Sequence, residues 1–230
     1  FGIFTDYDLN FTMTNISKLP DVPNCCEQFN DGFGKGFNAG ILGKFPVAEH
    51  ILIGFNAGFF NFRSNMVEEE DEEIIIEEEY TDALIEHTIE SSVSLIGFGP
   101  DINFRFFDGL HVFGGVMGGF VIDKSFDQYE KLKEPENRGT FENGRRIRNE
   151  ISGQIPDAAN FMLFVKTGLF YDLPLNETKT WLIAPELVFN SALSSLLNNK
   201  DWMINSLSIG ISLKYSPFDL HLSTPLTPEK

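Results

Sequence analysis

Phe1-Gly2-Ile3-Phe4-Thr5-Asp6-Tyr7-Asp8-Leu9-Asn10-Phe11-Thr12-Met13-Thr14 opens the chain. Its odd positions carry Phe1, Ile3, Thr5, Tyr7, Leu9, Phe11 and Met13, and its even positions carry Gly2, Phe4, Asp6, Asp8, Asn10, Thr12 and Thr14. That is the two-residue period of a strand with unlike faces; a helix of the same residues has no consistent apolar stripe.

The same period returns seven times. A second segment, from about Phe33 to Phe45, sets Phe37, Ala39, Ile41 and Phe45 against Gly34, Gly36, Asn38, Gly40 and Leu42. A third, from His50 to Phe62, sets Ile51, Ile53, Phe55, Ala57 and Phe59 against Leu52, Gly54, Asn56 and Gly58. The fourth ends in Ile102, Phe104 and Phe106 opposite Asp101, Asn103 and Arg105, and the Asp108-Gly109 turn signal leads at once to Val112, Val116, Phe120 and Ile122 of the fifth. The sixth alternates from Ala159 to Tyr171, with Met162, Phe164, Lys166 and Asp172 on its other face. Trp181, Ile183, Leu187 and Phe189 oppose Glu186 and Asn190 in the seventh, and Leu207, Ile209, Ile211, Leu213 and Tyr215 oppose Ser206, Ser208, Gly210, Ser212 and Lys214 in the eighth.

Connections are long after segments one, three, five and seven, and short after two, four and six. An all-β, eight-stranded, up-and-down antiparallel transmembrane barrel places every long loop at one rim and every short turn at the other. Residues 1–216 form that barrel in this reading, and 217–230, with their threonines and prolines, form a periplasmic tail or linker.

Composition sets the bounds. The 230 residues suffice for one barrel, and the net charge of -17 argues against nucleic acid, whose binding is supplied by clustered Lys and Arg. A mean hydropathy of -0.09 is uninformative for a chain that alternates lipid-facing and lumen-facing residues. No stretch approaches the ~18 apolar residues of a membrane helix. The chain opens mid-pattern at Phe1, so a secretion leader is either absent or already removed.

A soluble barrel of lipocalin type also alternates, but it turns its apolar face inward and covers its exterior with Lys and Glu. Here the polar faces are mostly Gly, Ser, Asn and Thr with single charges, which suits a crowded lumen. Phe45, Phe106, Tyr171, Trp181 and Tyr215 lie near the short turns or the last strand's end, as an interfacial aromatic girdle does. The expected location is the bacterial outer membrane, with its lipid as the first partner.

Pro23-Asn-Cys-Cys26, Gly32-Phe-Gly-Lys-Gly-Phe-Asn-Ala-Gly40, Thr140-Phe-Glu-Asn-Gly-Arg-Arg146, Leu182-Ile-Ala-Pro-Glu186 and Leu213-Lys-Tyr-Ser-Pro217 are short patches spread over most of the chain. In them it resembles the N-terminal barrel region of OmpA-like outer-membrane proteins of Bacteroidetes and Chlorobi type. The resemblance implies a small barrel of about eight strands. It also implies a downstream periplasmic region that contacts peptidoglycan or other envelope proteins; no residue of such a region can be matched within 1–230.

Several side chains invite a function. Lys166 and Glu186 are expected to face the lumen from neighbouring strands, joined by Asp6, Asp8, Asp101, Arg105 and Lys214 in a network of paired charges. An eight-stranded barrel has room for little beyond such side chains, so an ion path is the lesser reading. Glu68, Glu69, Glu70, Asp71, Glu72 and Glu73, with Glu77 to Glu79, fall in the second long loop. Ca²⁺ suits such a carboxylate run, against the plainer reading of a solvated, self-repelling loop; no other cofactor is expected. Arg145, Arg146 and Arg148 in the third long loop are expected to pack on the acidic loop, each exposed pair worth only ~0–1 kcal/mol.

The adjacent Cys25 and Cys26 are a candidate vicinal disulfide in the first long loop, the alternatives being free thiols or a bond to another chain. Catalysis is not expected: His50, His87, His111 and His221 are scattered, and only His87 belongs near the rim that Asp123, Ser125 and Asp127 reach. The leading expectation is therefore a structural barrel without an open pore, serving as membrane anchor or subunit of an envelope complex. A surface-loop binding module comes second, then a lipid-modifying enzyme and a small pore.

Overall fold

The computed structural model describes residues 1–17, 19, 28–76, 79–198 and 200–217. The strands are β1 (Gly2–Ile16), β2 (Phe29–Ala48), β3 (Ile51–Ile76), β4 (Glu79–Phe107), β5 (Leu110–Glu134), β6 (Ile147–Gln154), β7 (Phe161–Tyr171), β8 (Leu173–Pro174), β9 (Trp181–Ala192) and β10 (Trp202–Tyr215). β1 to β5, β7, β9 and β10 pair antiparallel in chain order, and β10 closes the ring on β1 with Leu213 opposite Ile3 and Ile209 opposite Tyr7. The two remaining strands are additions: β6 pairs with the outer part of β5, and β8 with the first residues of β9. The eight segments read from the period are the eight strands of the ring.

Short turns join β2 to β3 at Glu49-His50 and β4 to β5 at Asp108-Gly109. Gly109 has φ +85°, the left-handed conformation that a two-residue hairpin demands, and a β-carbon there would lie 2.9 Å from the Asp172 carbonyl oxygen. At the third turn of this rim the Asn176 side chain accepts from Trp181 N (3.1 Å).

Ile102 is 64% exposed whereas the next residue, Asn103, is fully buried, and this contrast repeats round the barrel. Ile3, Phe37, Ile41, Phe55, Phe98, Phe120, Leu163, Phe189 and Ile211 point outward, while Asp8, Asn10, Asn38, Asn190, Ser206 and Ser208 point inward. So large a ring of outward Phe, Ile, Leu and Val is costly in water and is matched by hydrocarbon. Trp181 and Tyr215 pack ring to ring (5.1 Å) at the short-turn rim, where amphipathic rings meet headgroups.

The interior is not polar throughout, which corrects the expectation from the even positions. Towards the long-loop rim it is filled by Phe60, Phe62, Met66, Ile89, Leu95, Met117, Met162, Phe164 and Trp202, all buried in one apolar cluster. Phe62 and Phe164 stack at 5.5 Å. Among the described residues, the buried charges Asp6, Asp8, Asp101 and Lys214 lie in the half nearer the short turns. A barrel this narrow packs its axis like any protein core, and apolar side chains fill that space without needing partners.

A second correction concerns length. The acidic run does not sit in a loop: it belongs to β3, whose pairing with β4 continues without a break from Ile51↔Phe104 to Ile76↔Glu79. β5 follows β4 up to Leu84↔Glu134. A three-stranded sheet, widened by β6, therefore stands above the apolar belt; at ~3.3 Å per residue its 66–76 stretch is on the order of 30 Å long.

Candidate functional site

Two places collect chemistry: the lumen near the short turns, and the outer sheet. In the lumen, Asp101 is 5% exposed and accepts from Asn56 Nδ2 (2.7 Å) and Asn103 Nδ2 (2.5 Å), with Lys166 Nζ 3.9 Å away. Asp8 accepts from Asn38 Nδ2 at 2.9 Å. Asp6, Lys166 and Glu186 face one another across a cavity of about 40 Å³, little more than room for a water or two. Such pairing is what makes buried charge tolerable at low dielectric.

The lumenal group is larger than the sequence suggested. Lys44, not anticipated in the network, donates to Asn103 Oδ1 (2.7 Å) and sits 3.5 Å from the centre of the Phe170 ring. Lys214 approaches the same ring at 3.6 Å and donates to Asp172 Oδ1 at 2.7 Å. His111 stacks on Phe170 at 4.6 Å and lies 3.4 Å from Asp172. Ring faces attract ammonium groups, so one phenylalanine helps hold two lysines at the mouth of the barrel. Arg105, half-buried, donates to the Glu49 carbonyl at the short-turn rim.

On the outer sheet, strand geometry splits the acidic run. Glu68, Glu70 and Glu72 point to the face continuous with the lumen, and Glu69, Asp71 and Glu73 to the opposite face. His87, 1% exposed, lies 3.3 Å from Glu70 Oε2 and 3.9 Å from Glu130 Oε1. Glu130, also buried, accepts from Arg148 Nε of β6 and from Asn149 Nδ2 (2.7 Å). The same Arg148 reaches Glu72 at 3.5 Å and covers the Phe141 ring at 4.4 Å. Beyond His87 and Glu130, farther from the membrane belt, Ala83, Ile85 and Leu132 form a small apolar cluster with Ile74 and Phe141.

Of the three arginines expected to meet the acidic run, Arg148 alone does so among the described residues. Arg146 donates to the carbonyls of Leu132, Lys133, Arg138 and Gly139, pinning its own connection. Arg145 pairs with Glu150, which holds its guanidinium above the usual range. The basic partner that sequence reasoning missed is Lys133, bonded to Glu69 (2.7 Å) and Glu86 (3.0 Å) on the other face. Those two carboxylates keep its ammonium well above the ordinary lysine value. The Tyr129 phenol is pushed up by burial, with Glu90 beside it.

Among the described residues, no group of three His, Cys, Asp or Glu side chains is arranged to hold a metal ion, and the acidic run of β3 is divided between two faces. His87 and Ser125 occupy opposite faces of the sheet, and Ser125 Oγ donates instead to Asp123 at 3.4 Å. Cys25 and Cys26 lie outside the described residues, as does all but the first residue of the expected tail, 217–230.

The outward belt, the closed ring and the girdle at one rim decide the setting. The chain is a transmembrane β-barrel. No protein-family model matches it, and no curated protein does. Among solved structures it is similar to Ail, the attachment invasion locus protein of Yersinia pestis, with 13% identity, a TM-score of 0.37, and coverage of 93% of this chain and 97% of that one. Neisserial surface protein A gives 12%, 0.34, 93% and 97%, and the outer-membrane protease OmpT of Escherichia coli gives 10%, 0.40, 93% and 96%. The architecture stands on the strand register and the two faces themselves; the matches assign no activity.

Proposed function

We propose that this protein is a structural outer-membrane barrel without an open pore, whose rigid outer sheet is its working surface for partners in the cell envelope or outside the cell. The observation that carries this reading is the unbroken β3–β4 register from Ile51↔Phe104 to Ile76↔Glu79 above an interior occupied by side chains. A barrel that only filled the membrane needs strands of about 9–11 residues, whereas β4 has 29. The added length is ordered by His87, Glu130 and Arg148 and presents alternating carboxylates outward.

The occupied interior supports the absence of a channel. Apolar side chains occupy one half and paired charges the other, and the cavity between them holds about 40 Å³. The separation of His87 from Ser125 supports a non-catalytic role. Kinship with OmpA-like proteins, and attachment to peptidoglycan or envelope proteins by a downstream region, fit the same picture and rest on the sequence patches alone. Ca²⁺ at Glu68 to Glu73 rests on the acidic run alone, and the division of that run between two faces of β3 disfavours it.

The test has two arms. Purified barrel in planar bilayers should show no sustained conductance. An epitope inserted between residues 77 and 78 should be reached by antibody on intact cells. Steady ion current, or an epitope reached only after the cells are broken, would overturn the reading.

A further inference from the structure

The apolar belt ends at the same height on neighbouring strands. On β3 the outward series Ile51, Ile53, Phe55, Ala57, Phe59 gives way to Asn61, Arg63 and Asn65; on β4, Phe98 and Ile96 give way to Ser94, Ser92 and Glu90. Asn61 marks the step, donating to Ser94 Oγ (2.9 Å) and Ser92 Oγ (3.3 Å) while 5% exposed. Just above it lie two outward cations. The pairs Phe33↔Asn65 and Phe37↔Asn61 on either side set Lys35 of β2 opposite Arg63 of β3, and both are exposed.

Like charges directly opposite on one face of a sheet repel. Neither side chain has an ion pair among the described residues, in a chain whose net charge is -17. The outward carboxylate diagonal to Arg63, Glu90, accepts from Tyr129 Oη at 3.2 Å. Aromatic pairs flank the cations on both sides: Phe11 and Phe33 above (5.4 Å), Phe37 and Phe59 below (5.4 Å). Phe33 is 62% exposed, which suits a headgroup layer better than open water.

We propose that Lys35 and Arg63 form a docking site for the phosphate of an outer-leaflet lipid, its acyl chains lying along Phe37 and Phe59. The guanidinium offers two parallel donors to phosphate oxygens and the ammonium a third, so an anion between them turns the cross-strand repulsion into attraction. The acidic sheet above repels anions in general, and this pair admits one at a single height.

The test uses the purified barrel in a neutral detergent, titrated with dioctanoyl phosphatidic acid, with dioctanoylglycerol and with inorganic phosphate, and read by native mass spectrometry and thermal unfolding. Phosphatidic acid is expected to be retained and to raise the unfolding temperature, with neither effect from the other two. Lys35→Gln with Arg63→Gln should weaken retention by about tenfold or more. Lys131→Gln with Lys133→Gln, higher on the sheet, should leave it unchanged. If the first double variant does not fold, Arg63→Lys, which keeps the charge and loses the fork, should weaken it by a smaller factor. Equal retention by the variants at 35 and 63, equal retention of the glycerolipid, or full competition by inorganic phosphate would each overturn the proposal.

Discussion

The Arg148 side chain, on the short strand β6, donates from Nε to the carboxylate of Glu130 on β5, and Glu130 is 2% exposed. This bond fastens the 135–154 connection to the outer sheet, because Glu130 also faces His87 and Asn149 and has no water-exposed alternative.

Arg148→Ala should therefore leave a buried carboxylate short of its main cation, at a cost of about 2 kcal/mol to the local structure. Hydrogen exchange should rise in residues 147–154 and in the facing part of β5, with the membrane strands unchanged. Lys133→Ala is the contrast: its ammonium is exposed, and its removal should change exchange little. Equal effects from the two would mean that burial does not set their weight.

In the lumen, Asp101→Ala removes the acceptor shared by Asn56 and Asn103 and the partner of Lys166. Urea unfolding from lipid vesicles should show a loss of about 3 kcal/mol. Pairing Asp101→Leu with Lys166→Met should recover much of it, since an apolar pair leaves no orphaned charge. A double variant as unstable as the sum of the two singles would show that the residues do not act together.

Phe164→Ala opens the apolar half of the interior by removing one ring of the Phe62–Phe164 stack. The expected cost is about 3–4 kcal/mol. Planar bilayers should still show no sustained current, because Lys44, Lys166 and Lys214 with their carboxylates close the other half. A steady conductance in this variant would locate the whole barrier at the aromatic stack.

The eight-strand ring was legible because lipid and lumen impose opposite chemistry on successive residues, as at Ile102 and Asn103. What the period did not reveal lies where that contrast fails. Along residues 68–73 both faces of β3 carry carboxylates that meet water or charged partners, so the run shows no alternation, and pairing with β4 overrides its low strand preference. Met162 and Phe164 stood on the face read as polar, but a narrow axis accepts apolar filling as readily as paired charge. Lys44 was missed because it follows Gly43 near a turn; only the fold brings it to Phe170 and Asn103. The split of Arg145, Arg146 and Arg148 among different partners depends on the path of one connection, which no period encodes.

The central claim is which face meets lipid, and tryptophan quenching by lipids brominated near mid-chain measures it directly. Phe98 points outward and Phe60 inward, about 10 Å apart along the strands by the pairs Ala57↔Phe98 and Phe60↔Leu95. Relative to the parent signal of Trp181 and Trp202, Phe98→Trp should add a strongly quenched component and Phe60→Trp one that the lipid does not touch. Quenching of the tryptophan at 60 with protection of the one at 98 would contradict the account.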